Sequence, residues 1–237
     1  MGKVLVLDAN QRPALAITRS LGQRGIWVVT ADETTRSLAG SSKFCKESFS
    51  YPSPYKFQEK FIDIIEKEIL NRNIKVIFPV TDITTYLILK HKEKFAFANI
   101  PFAQLDTFEK LTNKWTLFKL AQKLEIPCPK TYFVENYTSF SALTSTLTSW
   151  HFPLVLKPFR SRIEDNGKWI SSSVVYANSL EDLKEKVESI DYFRNFPFLI
   201  QEYIDGEGRG IFTIYNNGTP VCFFAHRRIR EKPPSGG

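Results

Sequence analysis

The sequence predicts an α/β protein: a doubly wound parallel sheet, followed by an α+β region of different pattern. Three observations carry this. Short apolar runs alternate with helical spacings over the first hundred residues, the mark of a parallel sheet with helices on both faces. Around residue 105 amphipathic helices take over. The last forty residues read as strand, Gly-rich turn and hairpin, and end in a basic tail.

The elements follow in order. Val4-Leu5-Val6-Leu7 is a buried-strand run, and the helix after it starts at Pro13 and stops at Gly25, as proline at a first turn and glycine past a last turn dictate. A second strand covers 27–31. Phe57, Phe61, Ile64 and Ile65 share a helical face, and Asn71-Arg72-Asn73 turns the chain into a third strand at 75–80. Thr81-Asp82 then falls at a strand's carboxyl end, where open α/β sheets bind ligands; Asp82 reads equally well as a helix N-cap.

Asp106-Thr107-Phe108-Glu109 reads as a capping box, and Leu117, Leu120, Ala121 and Leu124 as an apolar helical stripe. A domain boundary is placed just before, giving 1–104 and, beyond it, 105–198 and 199–237. A loop with Pro127 and Pro129 leads to a strand at 131–134, a helix at 138–150 and a strand at 154–158. The polar stretch 160–168 is either a mobile lid or a hairpin tip. Ser179 opens a helix carrying Leu183, Val187 and Ile190. A strand at 198–204, a Gly-rich turn at 205–210 and a hairpin closed by Asn216-Asn217-Gly218 follow.

Of the 237 residues, 43% are hydrophobic and 14% aromatic, which excludes disorder and fits one large or two small domains. The excess of 32 Lys+Arg over 25 Asp+Glu suits an anionic partner, but the cations are scattered except at the tail, so a nucleotide explains it as well as a nucleic acid does. Cys45, Cys128 and Cys222 show neither disulfide nor zinc spacing. With no apolar run of membrane-spanning length and no export signal, a cytoplasmic protein is expected. Oligomeric state is open, with a homo-oligomer possible.

Chemistry is carried by a few segments. Lys157 ends the apolar run Leu154-Val155-Leu156; a lysine there either snorkels to solvent or faces an anion. Asn113-Lys114 precedes an amphipathic helix. Leu199-Ile200-Gln201-Glu202-Tyr203-Ile204 leads into Asp205-Gly206-Glu207-Gly208-Arg209-Gly210, and the tail runs His226-Arg227-Arg228-Ile229-Arg230-Glu231-Lys232-Pro233-Pro234-Ser235-Gly236-Gly237. Clustered guanidinium groups feeding a Gly-rich loop suit phosphate; a solvated, frayed terminus is the alternative.

In this order, Asn-Lys, Ile-Pro-x-Pro, Leu-Lys-Pro and Gln-Glu-Tyr-Ile-x-Gly, the sequence resembles the ATP-grasp superfamily, and within it the carboxylate–amine ligases of the carbamoyl-phosphate-synthase-like branch. The resemblance implies a pre-ATP-grasp domain over 1–104 and an incomplete ATP-grasp α+β domain beyond, with a lid subdomain at 105–198. It implies ATP and Mg2+ as cofactors and a small carboxylate as substrate. By position, Lys114 and Lys157 would contact the nucleotide phosphates. Gln201, Glu202, Tyr203 and Ile204 would form the hinge that reads adenine by backbone groups, with Glu202 near adenine or ribose. The usual ribose carboxylate position holds Arg209, which leaves Glu207 as substitute or as a solvated turn residue. Arg227, Arg228 and Arg230 would line the phosphate and acyl-acceptor side as electrostatic clamps. The lid lacks the family's run of glycines, so Arg160 or Arg162 is expected to reach a phosphate instead. The family's magnesium ligands, an acidic residue and a later Glu-x-Asn, match nothing before Gly237; the expectation is the N-terminal part of a longer ligase, inactive by itself. A non-catalytic nucleotide- or metabolite-binding module is the alternative. A dinucleotide oxidoreductase is disfavoured because residues 7–13 hold no G-x-G-x-x-G, and nucleic-acid binding ranks last.

Overall fold

The computed structural model of the chain describes residues 2–147 and 149–230. In chain order its elements are β1 (Lys3–Val6), α1 (Arg12–Gln23), β2 (Val28–Asp32), β3 (Cys45–Ser50), α2 (Gln58–Arg72), β4 (Ile74–Phe78), α3 (Asp82–Lys90), α4 (Leu105–Thr112), α5 (Lys114–Lys123), β5 (Thr131–Val134), α6 (Phe140–Thr146), β6 (Leu154–Pro158), β7 (Arg162–Asp165), β8 (Lys168–Ser171), β9 (Val175–Ala177), α7 (Leu180–Ser189), α8 (Asp191–Asn195), β10 (Phe198–Glu202), β11 (Arg209–Asn216) and β12 (Thr219–Arg227). A 3-10 turn, Lys92–Phe95, follows α3. The chain forms two compact units: residues up to 117 together with 160–171, and residues 118–159 together with 172 onward.

The first unit is built on a parallel sheet in the order β3-β2-β1-β4. Side chains alternate across a strand, so Leu5 and Leu7 enter the cluster formed with Phe61, Ile62 and Ile65 of α2 and Leu87 of α3. Val4 and Val6 pack on the other face with Ala14 of α1. Because both faces are covered, no polar residue interrupts Val4 to Leu7, and that is why this stretch reads as an unbroken apolar run. Gly25, at φ +76°, turns the chain after α1, and Asn73 ends α2 in the left-handed conformation, a role asparagine fills after glycine. Between Phe159 and Ser172 the polar stretch forms the antiparallel hairpin β7–β8, with Asn166 and Gly167 at positive φ at its tip. The hairpin belongs to the first unit.

The second unit holds the antiparallel sheet β5-β10-β6-β9. One face carries Leu154, Leu156, Phe198 and Ile200, which pack with Leu143 of α6, Leu183 and Val187 of α7 and Phe193 of α8. The ribbon β11–β12 turns at Asn217 and Gly218, both at positive φ as a two-residue turn demands. Its Ile211, Phe212, Ile214, Val221, Phe223 and Phe224 are each about 60% exposed or more, so apolar side chains face solvent on both of its sides.

Several sequence expectations shift. The capping box at Asp106 does not form: α4 starts two residues earlier with Gln104 as an uncapped N-cap, and the Asp106 carboxylate is taken by Thr107 and Lys110. The helix expected at 138–150 is confined to α6, capped by the Ser139 hydroxyl. The strand expected to reach residue 204 ends at Glu202. Thr81, rather than Asp82, is the N-cap of α3.

Candidate functional site

In the second unit, register decides which side chains share the sheet face turned away from the helices. Leu199 pairs with Phe133 and Lys157, Gln201 pairs with Thr131 and Val155, and Val155 pairs with Tyr176. Residues directly opposite in an antiparallel sheet point the same way. Lys157, half-buried, therefore stands on the same face as buried Leu199, Val155 and Gln201. Lys119 of α5 lies over the Phe133 ring at 4.4 Å, and Tyr176 meets Tyr203 edge-on at 6.1 Å. Two buried apolar side chains, an ammonium and an amide thus share one face of the sheet.

The amide is held one way round. Gln201 is fully buried, and its Nε2 donates to Thr131 Oγ1 at 2.8 Å. Thr131 Oγ1 spends its own proton on the Pro129 carbonyl at 2.7 Å. A hydroxyl has one proton to give, so Thr131 can only accept from Gln201, and flipping the amide would set two acceptors against each other. Gln201 Oε1 is consequently left as a buried acceptor with no donor among the described residues.

The other hinge residues are placed differently. The Glu202 carboxylate accepts from the Lys130 backbone N–H at 2.7 Å, and the Glu202 N–H donates to the Lys130 carbonyl at 3.1 Å. Glu202 opens instead on a cavity of about 300 Å³ shared with Lys130, Trp150, His151, Phe152 and Tyr203, in which Lys130 Nζ lies 4.7 Å over the Trp150 ring. Tyr203 and Ile204 are exposed beyond the strand end. Glu207 pairs with Arg209 at 2.7 Å and lies 3.9 Å from Arg227. The Arg228 N–H donates to the Gly208 carbonyl at 2.7 Å, and Arg230 is exposed. These contacts gather Glu207, Arg209, Arg227 and Arg228 at the base of the β11–β12 ribbon. The remainder of the tail, 231–237 with its Pro-Pro-Ser-Gly-Gly loop, lies outside the described residues.

Lys114 belongs to the first unit. It opens α5, where Asn113 Oδ1 accepts from the N–H groups of Trp115 and Thr116. Lys114 Nζ donates to Ser161 Oγ of the β7–β8 hairpin at 3.2 Å. Burial pushes the Lys114 ammonium below its ordinary pKa, and the Asp82 charge opposes that shift. In the same hairpin Arg160 Nη2 donates to the Glu109 carbonyl at 3.2 Å and Arg162 Nε to the Tyr55 hydroxyl at 3.3 Å.

At the carboxyl ends of β1, β2 and β4 a second polar cluster forms. Asp8, at φ +55°, is buried; its Oδ2 accepts from Val80 N, Thr81 N and Thr84 Oγ1 (2.9, 2.9 and 2.6 Å) and its Oδ1 from the Tyr51 hydroxyl at 3.2 Å. Burial, then the Asp8 charge, pushes the Tyr51 phenol well above its usual pKa. Asp32 accepts from Asn10 N and Nδ2, both at 2.8 Å. A cavity of about 140 Å³ opens here, but its two buried carboxylates, Asp8 and Asp32, are committed to the fold, so the crevice beside Thr81-Asp82 is pinned by Asp8, a residue that no sequence motif marks. Thr131, Tyr176 and Lys130 were missed too, since nothing local in sequence distinguishes them. Among the described residues no group of three His, Cys, Asp or Glu is placed to hold a metal ion. No helix among them is long and apolar enough to cross a membrane.

No protein-family model matches the sequence, and no curated protein matches it significantly. Solved structures do resemble it. An L-amino acid ligase from Bacillus licheniformis superposes with a TM-score of 0.65 at 16% identity, over 95% of this chain and 49% of that one. Carboxyaminoimidazole ribonucleotide synthase from Aspergillus clavatus, complexed with ATP, gives 0.66 at 15% identity, over 97% of this chain and 55% of that one. The biotin carboxylase domain of 2-oxoglutarate carboxylase from Hydrogenobacter thermophilus, in complex with MgADP, ADP and bicarbonate, gives 0.57 at 13%, over 90% and 47%. The chain spans about half the length of these proteins. The likeness establishes the fold, and it agrees with the α/β architecture expected from the sequence.

Proposed function

We propose that the chain is the ATP-binding portion of an ATP-dependent carboxylate–amine, or carboxylate–thiol, ligase working through an acyl phosphate. The observation that supports this best is the face shared by Lys157 and Gln201. Adenine carries an exocyclic amino group, a donor, and the amide lock at Thr131 offers it an acceptor that cannot rotate away. Val155 and Leu199 supply the apolar walls such a base needs, with Tyr203 and Ile204 at the strand end.

In this reading Lys157 and Lys114 neutralise phosphate charge, and Arg227, Arg228 and Arg230 act as clamps near the acyl acceptor, with Glu207 as the candidate ribose contact. The substrate carboxylate attacks the γ-phosphorus, the bond to the β-phosphate oxygen breaks, and ADP leaves. An amine then attacks the acyl carbon, inorganic phosphate departs, and the amine proton passes to solvent or phosphate. None of these residues needs to move a proton, since phosphoryl transfer depends on positioning and charge. Magnesium would supply further charge neutralisation between the phosphates; this assignment rests on the family resemblance. A cytoplasmic location goes with this substrate class.

Isothermal titration of the 237-residue chain with ATP, with and without magnesium, tests the reading. Saturable binding lost in Lys157→Met is expected; absence of any ATP binding in either condition would reject it.

A further inference from the structure

The first unit contains a small cavity that the nucleotide reading leaves unused. It is a half-open cavity lined by α3, α4 and the β7–β8 hairpin, with Asp82, Tyr86, Phe108, Arg160, Arg162 and Trp169 among its walls, and holds about 30 Å³, room for on the order of two water-sized groups. Its most telling group is Trp169. The indole ring packs edge-on against Tyr86, with centroids 5.5 Å apart, and its Nε1 is buried with no acceptor among the described residues. An indole nitrogen can only donate, so what completes it must bring an oxygen.

The charges around the cavity say which kind. Arg160 and Arg162 line it, and Lys114 reaches its wall through Ser161. Arg162 is oriented by Tyr55 on Nε and by the Ser161 carbonyl on Nη1. Against these three cations stand two exposed carboxylates, Asp82 in the wall and Glu164, which pairs directly opposite Trp169 in the hairpin. The surroundings therefore favour an anion, and Lys114, its charge partly desolvated, gains from one. Shape narrows the choice. Phe108 and the Trp169 indole are flat apolar walls that suit a planar two-oxygen group, whereas a tetrahedral dianion would bring a second charge towards Asp82.

We propose that this cavity binds the carboxylate of a small organic acid, one oxygen accepting from Trp169 Nε1 and the other from the Arg162 guanidinium. The binding claim stands on the first unit alone; naming the bound acid as the ligase substrate rests on the reading given under Proposed function.

The test is a set of ¹H–¹⁵N correlation spectra of the 237-residue chain labelled on its tryptophans, four in number, at constant ionic strength. Trp169→Phe, which removes the donor and keeps a ring against Tyr86, identifies the indole signal; should it fail to fold, Arg162→Gln identifies it as the indole perturbed beside that substitution. Acetate, inorganic phosphate and ATP are titrated separately. The expected result is a saturable movement of the Trp169 indole with acetate, the other three indoles unmoved, and an acetate affinity about tenfold weaker in Arg162→Gln, as loss of a charge-assisted bond predicts. ATP affinity in Trp169→Phe stays at the wild-type value. An indole indifferent to acetate overturns the proposal, and so does one moved by phosphate alone, which would make this a phosphoryl site. Loss of ATP binding in a folded Trp169→Phe also overturns it, by giving the cavity to the nucleotide. A chain that responds to acetate but never binds ATP keeps this proposal and sinks the nucleotide reading.

Discussion

Replacing Gln201 by leucine separates stability from binding, because the two should move in opposite directions. The substitution removes one hydrogen bond, from Nε2 to Thr131 Oγ1, worth about 0.5–1.5 kcal/mol. It also removes a buried acceptor with no partner, whose desolvation costs about 1–3 kcal/mol in the wild type. Leucine fills similar space, so the cavity contribution is small. The balance favours the variant by roughly 1 kcal/mol, a rise of about 2–4 °C in melting temperature for a chain of this size. For ATP the same change deletes the acceptor for the base amino group, and affinity should fall by about 1–3 kcal/mol, roughly 5- to 150-fold. Differential scanning fluorimetry of the free chain and calorimetric titration with ATP report the two quantities on one preparation. A variant that melts clearly lower and binds ATP as the wild type does would refute the reasoning, since the amide would then be a structural group satisfied within the fold.

Two other expectations follow from the first unit. Asp8→Ala strands the Val80, Thr81, Thr84 and Tyr51 donors and should cost about 3–5 kcal/mol, seen as a lower urea midpoint; a loss under about 1 kcal/mol contradicts the pinning role given to this carboxylate. Glu47 is held below the ordinary glutamate value of 4.5, first by its hydrogen bond to Lys3, then against a burial cost by Arg72 and Trp27. A depressed folded pKa means that the unfolded chain takes up a proton first as pH falls. The contribution of Glu47 is therefore fully present above 4.5 and is lost as pH drops through the folded value. Glu47→Gln should flatten the acid limb of a melting-temperature profile, and an unchanged limb would count against it.

How far the residues disclosed their structure depends on how local the deciding forces are. The run Val4-Leu5-Val6-Leu7 was legible because both faces of β1 are buried, and Gly25 and the Asn217-Gly218 turn were legible because positive φ selects those residue types. By contrast β3, Cys45-Lys46-Glu47-Ser48-Phe49-Ser50, lies at a sheet edge with alternate residues exposed, and no apolar run marks it. Helix α3 buries Ile83, Thr84, Thr85, Leu87, Ile88 and Leu89, which blurs the one-sided periodicity that helix reading relies on. The capping box failed because the Asp106 carboxylate found neighbouring partners in Thr107 and Lys110. At the candidate site, the order of motifs pointed to Lys157 and to the hinge. It did not tell Gln201 from Glu202, because which of two adjacent residues faces Lys157 is set by pairing with β5 and β6, and register between strands distant in sequence has no local signature. The Thr131 hydroxyl that fixes the amide lies 70 positions away from it.

The assignment of 160–171 to the first unit has a consequence for synthesis. A ribosome emits the chain from its amino end, so residues 2–117 emerge long before the hairpin that completes their unit. By the time Trp169 appears to meet Tyr86, β5 and β6 have already left the exit tunnel. The two units therefore cannot mature strictly one after the other, and no single cut in the polypeptide will separate them into intact halves.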